Sequence, residues 1–176
     1  MLRCALIVVE ELFAVRDGNS AFVGDARFFP LVIVTWFGEM TEPVARRYFA
    51  WQEPILERII AEKTKFAFVA DTTRCARPSP KMRKLVVELS NAGPNVGAYA
   101  LPTYTAIESA LVRGAITAMQ WVVNVDWRIV PVPSARQGIQ KAIAALAAEG
   151  VKVPPGIDAA TYRAPEMPQS STAAMG

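Results

Sequence analysis

The stretch LVIVTWF, Leu31 to Phe37, carries no charge and consists almost wholly of β-branched and aromatic residues. Such a run, stopped by Gly38, reads as a strand covered on both faces, and strands of that kind belong to sheets lying between helices. The residues after it change period. From Val44 the apolar residues Tyr48, Trp51, Ile55 and Ile59 recur at spacings of three and four, as do Phe49, Leu56 and Ile60, which predicts an amphipathic helix to about Glu62. Thr41 is placed to cap it and Pro43 suits its first turn. Pro54 removes a hydrogen bond from its middle and is expected to bend it.

The same exchange of period continues along the chain. KFAFVAD (Lys65 to Asp71) predicts a strand, and Ser79-Pro80 opens a helix with Met82, Leu85, Val86 and Leu89 on one face, stopping near Asn91 to Gly93. NVGAYALP (Asn95 to Pro102) predicts another strand. A helix is expected from about Tyr104 to Val122, its small residues Ala110, Gly114 and Ala118 recurring every four positions. WRIVPV (Trp127 to Val132) is a final strand, and Ser134 caps a last helix with Ile139, Ile143 and Leu146 inward and Gly150 beyond its end.

Ahead of these, AFVGDARFF (Ala21 to Phe29) reads as a strand placed to run antiparallel to its successor at one edge. The resulting order, β-β-α-β-α-β-α-β-α, predicts an α/β fold: a four- to five-stranded, mostly parallel sheet with right-handed crossovers, covered by about four helices. No internal repeat is found. Residues 1–20 carry no assignable element, residues 21–150 form the domain, and residues 151–176 turn to proline, serine, alanine and threonine without period. Pro154 to Gly176 is expected to be a disordered tail.

With 176 residues, 52% of them apolar and 20% charged, one sizeable core is within reach; a domain of this size buries about 70% of its unfolded surface. No apolar run approaches the ~18 residues of a membrane span, so a soluble chain is expected. MLRCALIVVEELF imitates a signal peptide, but Glu10-Glu11 ends its apolar run and no small-residue cleavage site follows. Cys4 and Cys75 lack a CxxC partner, which indicates neither a disulfide framework nor a zinc site and fits a reducing cytoplasm. The net charge is +3 and the pI near 9.0. Positive residues gather only around Arg74, Arg77, Lys81, Arg83 and Lys84, without stacking aromatics or a reader motif, so nucleic acid is not an expected partner.

The chain has no histidine. That removes the usual general base and the commonest metal ligand, and with them Ser-His-Asp and Cys-His catalysis. Neither GxxxxGK[ST] nor a GxGxxG after a strand occurs, and the carboxylates are mostly isolated. An enzyme is therefore not expected, nor a cofactor. What remains is FAFVADTTRCARPSPKMRK, Phe66 to Lys84. Asp71, Thr72, Thr73 and Cys75 should reach the carboxyl end of their strand, where open α/β sheets bind ligands. The helix begun at Ser79, with Arg74, Arg77 and Lys81, would suit an anion or phosphoryl group. The plainer alternative has Asp71 and the threonines satisfying turn backbone, Ser79 capping a helix and the basic residues solvated. ALPTYTAIE (Ala100 to Glu108) would bring Thr103, Tyr104 and Thr105 close if the two strands are neighbours, or merely cap a helix. Cys75, without a histidine beside it, is more a packed thiol than a nucleophile. The aromatic residues Trp36, Phe37, Tyr48, Phe49, Trp51, Tyr104, Trp121 and Trp127 either pack the core or line a pocket for an apolar ligand.

From about Ala21 to Gly150 the chain resembles a STAS domain, the fold of bacterial anti-sigma factor antagonists, and within it the SpoIIAA-like branch. The resemblance rests on LVIVTWFGEMT, on KFAFVADTT ending a strand in aspartate, on GAYALPT, and on WRIVPVPSARQGIQKAIAAL as closing strand and helix. It implies a four- or five-stranded sheet with helical cover, no cofactor, and work through protein contacts or through an apolar or nucleotide ligand. In regulatory members a serine or threonine opening the second helix is phosphorylated in a context like Asp-Ser-Ser-Gly. Here that place reads Arg-Pro-Ser-Pro, and Ser79 is the residue that corresponds. Two roles follow: an interaction module meeting a protein partner near Thr72 to Ser79, or a carrier of a small apolar, lipid-like ligand in a pocket between helices and sheet.

Overall fold

A computed structural model of the chain describes residues 10–108 and 128–169, with Gly114 between them. It is an α/β structure whose sheet has six strands in sequential order: β1 (Leu12–Asp17), β2 (Ser20–Asp25), β3 (Leu31–Gly38), β4 (Ala67–Cys75), β5 (Thr103–Ala106) and β6 (Ile129–Val132). The β1/β2 and β2/β3 pairs are antiparallel, and β3 through β6 are parallel. Three helices lie among the described residues: α1 (Glu42–Glu62), α2 (Pro80–Ala92) and α3 (Ala135–Ala148). None of them is long and apolar enough to cross a membrane.

Alternation along β3 divides the core. Val32, Val34 and Trp36 face α1, joining Phe13, Phe22, Trp51, Ile55, Ile59 and Phe68, while Leu31 and Ile33 face α3 with Val69, Tyr104, Ile139 and Leu146. On the α1 side the rings form a continuous cluster: Phe22 lies 5.0 to 5.4 Å between centroids from Trp36, Tyr48 and Trp51. The Trp51 indole N–H donates to the Glu10 carbonyl at 2.8 Å, fastening the chain ahead of β1 to α1. On the other side α3 packs on β4, β5 and β6, approaching closely at Gly138.

Several boundaries differ from expectation, each for a local reason. The segment left unassigned at residues 1–20 contributes β1, paired to β2 through a Gly18-Asn19 turn in which Gly18 has φ +58°. The β2 strand stops at Asp25 rather than Phe29 because its carboxylate turns back to accept the Arg27 N–H at 3.1 Å. Residues 95–102 are not a strand. Asn95 accepts the Gly97 N–H, and the Tyr99 and Ala100 N–H groups both donate to the Val96 carbonyl, so a turn uses up the backbone and only Ala100 bridges to Phe66. Tyr104, Thr105 and Ala106, expected to open a helix, lie in β5; Gly114, inside that predicted helix, is helical, and Ala110 and Ala118 fall outside the described residues. Thr41 precedes α1 in extended backbone but makes no side-chain cap, and α1 runs unbroken through Pro54.

The expected disordered tail is also corrected over its described part. Val151, Val153, Ile157, Ala159 and Tyr162 pack against the α3-side core, and Met167 packs on Ala21, Val23 and Phe37. Arg16 donates to the Pro168 and Gln169 carbonyls at 3.0 and 3.3 Å, and Arg136 to the Tyr162 carbonyl at 3.2 Å. The segment is held by side chains without regular structure, which is why no hydrophobic period announces it.

Candidate functional site

The β4 strand runs four residues beyond Asp71, so the residues expected at its tip lie inside the sheet. Thr35 pairs with Asp71 but Phe37 pairs with Arg74, so β4 carries one extra residue between them, a bulge at Thr72-Thr73. Asp71, 4% exposed, serves that bulge: its Oδ1 accepts the Thr73 N–H at 3.1 Å and the Thr73 hydroxyl at 2.7 Å. The Thr72 hydroxyl donates to the Ala106 carbonyl at 2.7 Å and ties the irregular stretch to β5. Thr105 is buried in β5, and Thr103 is half-buried with its N–H given to the Arg128 carbonyl. The hydroxyls of Thr72 and Thr73 and the Asp71 carboxylate are thus engaged in holding strands, the plainer of the two readings. Strand β5 is the neighbour of β4 and sets Thr105 opposite Ala70, one position before Asp71, where it is buried in the sheet.

Arg74, Arg77 and Ser79 stand apart from that group, on the surface lip between β4 and α2. The Arg74 guanidinium covers the Phe37 ring at 4.3 Å and is otherwise exposed. Arg77 is exposed in the connecting loop, which is fixed at one end by the Ala76 N–H to Gly38 carbonyl bond of 2.8 Å and at the other by Arg83 donating to the Pro78 carbonyl. Ser79 Oγ accepts the Met82 N–H at 3.3 Å, the cap predicted for it, with Pro80 following at the first helical position. Lys81 and Lys84 are 82% and 80% exposed in side chain and make only long contacts, 3.4 Å to Glu42 and 3.8 Å to Glu88. Arg46 and Lys81 beside the Glu42 carboxyl hold it below its ordinary range. Burial pushes the Cys75 thiol up to about 11, and its Sγ–H donates to the Ala76 carbonyl, so it is a protonated, packed thiol.

A second place was not visible in the sequence. Residues 156–165 cross the α3-side face over β2 and β3 and leave a cleft of about 330 Å³, with Val23, Ile33 and Thr35 in its floor and Ile157, Tyr162 and Arg163 on the crossing segment. The Tyr162 phenol lies beside Thr35, which is itself buried, with Asp71 and Asp25 nearby; burial pushes the phenol up to about 12. Asp25 and Arg27 close one wall as a bidentate pair with contacts of 3.0 and 2.7 Å. The one sequence signal was an aromatic residue with scattered aliphatics, Ile157, Tyr162 and Met167, in a stretch otherwise reading as polar and proline-rich. Among the described residues no group of three or more histidine, cysteine, aspartate or glutamate side chains could hold a metal ion.

No family model matches the chain, and no curated protein matches it. Among solved structures it is similar to an uncharacterized protein of the DUF3478 family from Shewanella loihica PV-4, described as having a SpoIIAA-like fold. The two are 12% identical with a TM-score of 0.44, over 74% of this chain and 91% of that one. A likeness at that level concerns architecture and assigns no residue a role.

Proposed function

We propose that the chain is a non-catalytic interaction module of the reducing cytoplasm, which takes an acidic segment of a partner protein on the lip between β4 and α2. The observation that carries this reading is the exposure of Arg74, Arg77, Lys81 and Lys84 around one rigid turn. Arg74 and Arg77 carry no ion pair among the described residues and Lys81 and Lys84 only exposed ones, and exposed charges of this kind steer and orient an oppositely charged partner more than they stabilise their own fold. The chemistry around them favours binding over catalysis: the chain lacks histidine, the nearby thiol is protonated, and the Asp71 carboxylate is occupied by Thr73. The alternative of an apolar-ligand carrier between α1 and the sheet has less room, because the Phe13, Phe22, Trp36, Tyr48 and Trp51 rings occupy that interface.

The test is quantitative co-purification from the cells that make the protein, comparing the natural chain with the double variant Arg74→Glu, Arg77→Glu. Both positions are exposed, so the variant should fold. A polypeptide held by the natural chain and lost from the variant at moderate salt is the expected result. An identical set of retained proteins would remove the lip as the interface.

A further inference from the structure

We infer that the cleft beneath residues 156–165 is a binding site for a compact two-ring organic monoanion, separate from the basic lip. Its size sets the first limit. A dry cavity of about 150 Å³ accommodates benzene, and the cleft, at about 330 Å³, is roughly twice that. Its lining sets the second. Val23 and Ile33 in the floor, Phe28 and Leu12 at the sides and Ile157 and Pro165 above form apolar surface suited to a flat ring system. Leu12 is the most exposed large apolar residue of the described chain, at 53%, which leaves apolar surface at the mouth for a ligand to cover.

Charge selects the anion. Four charged side chains line the cleft: Asp25, Arg27, Asp158 and Arg163. Asp25 and Arg27 neutralise each other in the bidentate pair, and Asp158 Oδ1 accepts the Ala160 N–H at 2.9 Å. Arg163 is exposed and has neither an ion pair nor a hydrogen bond among the described residues, so its five donors are the lining's free cationic group, set against the Asp158 carboxylate, which keeps its charge. At the inner end the Tyr162 phenol, beside the buried Thr35, offers a neutral polar contact. A carboxylate or sulfonate on a naphthalene-sized body would put its charge on Arg163 and its rings on Val23 and Ile33.

The test uses 2-naphthoate, its neutral methyl ester and 1-naphthylmethylammonium, titrated into the full-length protein and followed by backbone amide chemical shifts. The expected result is saturable binding of 2-naphthoate, with shifts centred on Val23, Ile33, Thr35 and residues 157–163. In Arg163→Ala, an exposed substitution that should not disturb folding, its affinity falls about 5- to 10-fold, the scale of one charge-assisted contact. The ester should bind both proteins within about twofold, since it makes no such contact. The inference is overturned if 2-naphthoate does not saturate at millimolar concentration or if shifts centre elsewhere. It is equally overturned if Arg163→Ala leaves naphthoate affinity unchanged or if the ammonium compound binds more tightly than the carboxylate.

Discussion

Replacing Tyr162 by phenylalanine removes one hydroxyl from the C-terminal segment and keeps the ring. At neutral pH the variant removes a polar group that sits beside the Thr35 side chain, 1% exposed, and leaves that buried surface one polar neighbour fewer; about 1 to 2 kcal/mol of stability goes with it. Alkaline pH reverses the comparison. In the folded chain the Tyr162 phenol is raised from 10.0 to about 12, chiefly by burial. A pKa raised by folding stabilises fully below the unfolded value and is lost as pH climbs through the folded one. The wild type should therefore lose at most about 2.7 kcal/mol between about pH 10 and 12, and about 1.4 kcal/mol of it by about pH 11. Phenylalanine has nothing to ionise. The advantage of the natural chain should then shrink steadily and vanish close to about pH 11, while Tyr48 and the other tyrosines, common to both proteins, drop out of the difference. Urea unfolding followed by tryptophan fluorescence, in half-unit steps from about pH 8 to 11, gives the two curves. Parallel curves, or equal stability at the lower end, would mean that the phenol is in water and that residues 156–165 do not lie on the sheet.

Gly138→Ala should destabilise the fold by about 1 kcal/mol in thermal or urea unfolding, since the ~1 kcal/mol that alanine gains in a helix is outweighed by ~1 to 3 kcal/mol of overpacking. The added Cβ would sit 2.9 Å from Val69 Cγ1 and 3.4 Å from Tyr104 Cβ, both in the core; a gain in stability would show that α3 rides higher on the sheet. Ser79→Ala should cost about 1 kcal/mol through the lost cap, and Ser79→Asp only a few tenths, because aspartate caps as well. If Ser79→Asp nonetheless weakens partner capture, the helix start belongs to the interface, and unchanged capture places the contact elsewhere on the lip. Cys75, its thiol at about 11, should react with iodoacetamide near neutral pH at least about tenfold more slowly in the folded protein than in urea. Equal rates would contradict its burial.

What could be read from the sequence was whatever repeats with a period. The uniform apolar run of β3, the spacings of α1, α2 and α3 and the serine caps at Ser79 and Ser134 all appear where periodicity and capping chemistry put them. The strand count was low because β1 is only four apolar residues closed by Arg16 and Asp17 and takes its identity from pairing with β2. The tip near Asp71 was misplaced for a related reason. Asp-Thr-Thr reads as a turn in isolation, yet the carboxylate satisfies a bulge and lets the ladder to β3 continue to Cys75, while the ladder to β5 ends at Asp71. Arg74, Arg77 and Ser79, neighbours in sequence, lie on the lip between β4 and α2. Thr103 and Thr105 lie in β5, which begins after the Asn95-Val96-Gly97 turn and runs past the position assigned to a helix.

The placement of the C-terminal segment follows from widths. Six strands at ~4.8 Å spacing make a sheet about 24 Å across, whereas a helix with its side chains is about 10 to 12 Å wide and covers two or three strands. On one face α1 and α2 lie side by side, with α1 reaching β1 and β2. On the other, α3 packs over β4, β5 and β6 and leaves Ala21, Val23 and Ile33 needing cover from another part of the chain. Residues 151–167 supply it, but an irregular segment offers one apolar side chain every few residues, where a helix presents a continuous stripe. Among the described residues one helix, α3, lies over half of that face and loop covers Ala21, Val23 and Ile33; incomplete filling under that loop is what opens the cleft beside Thr35 and Tyr162.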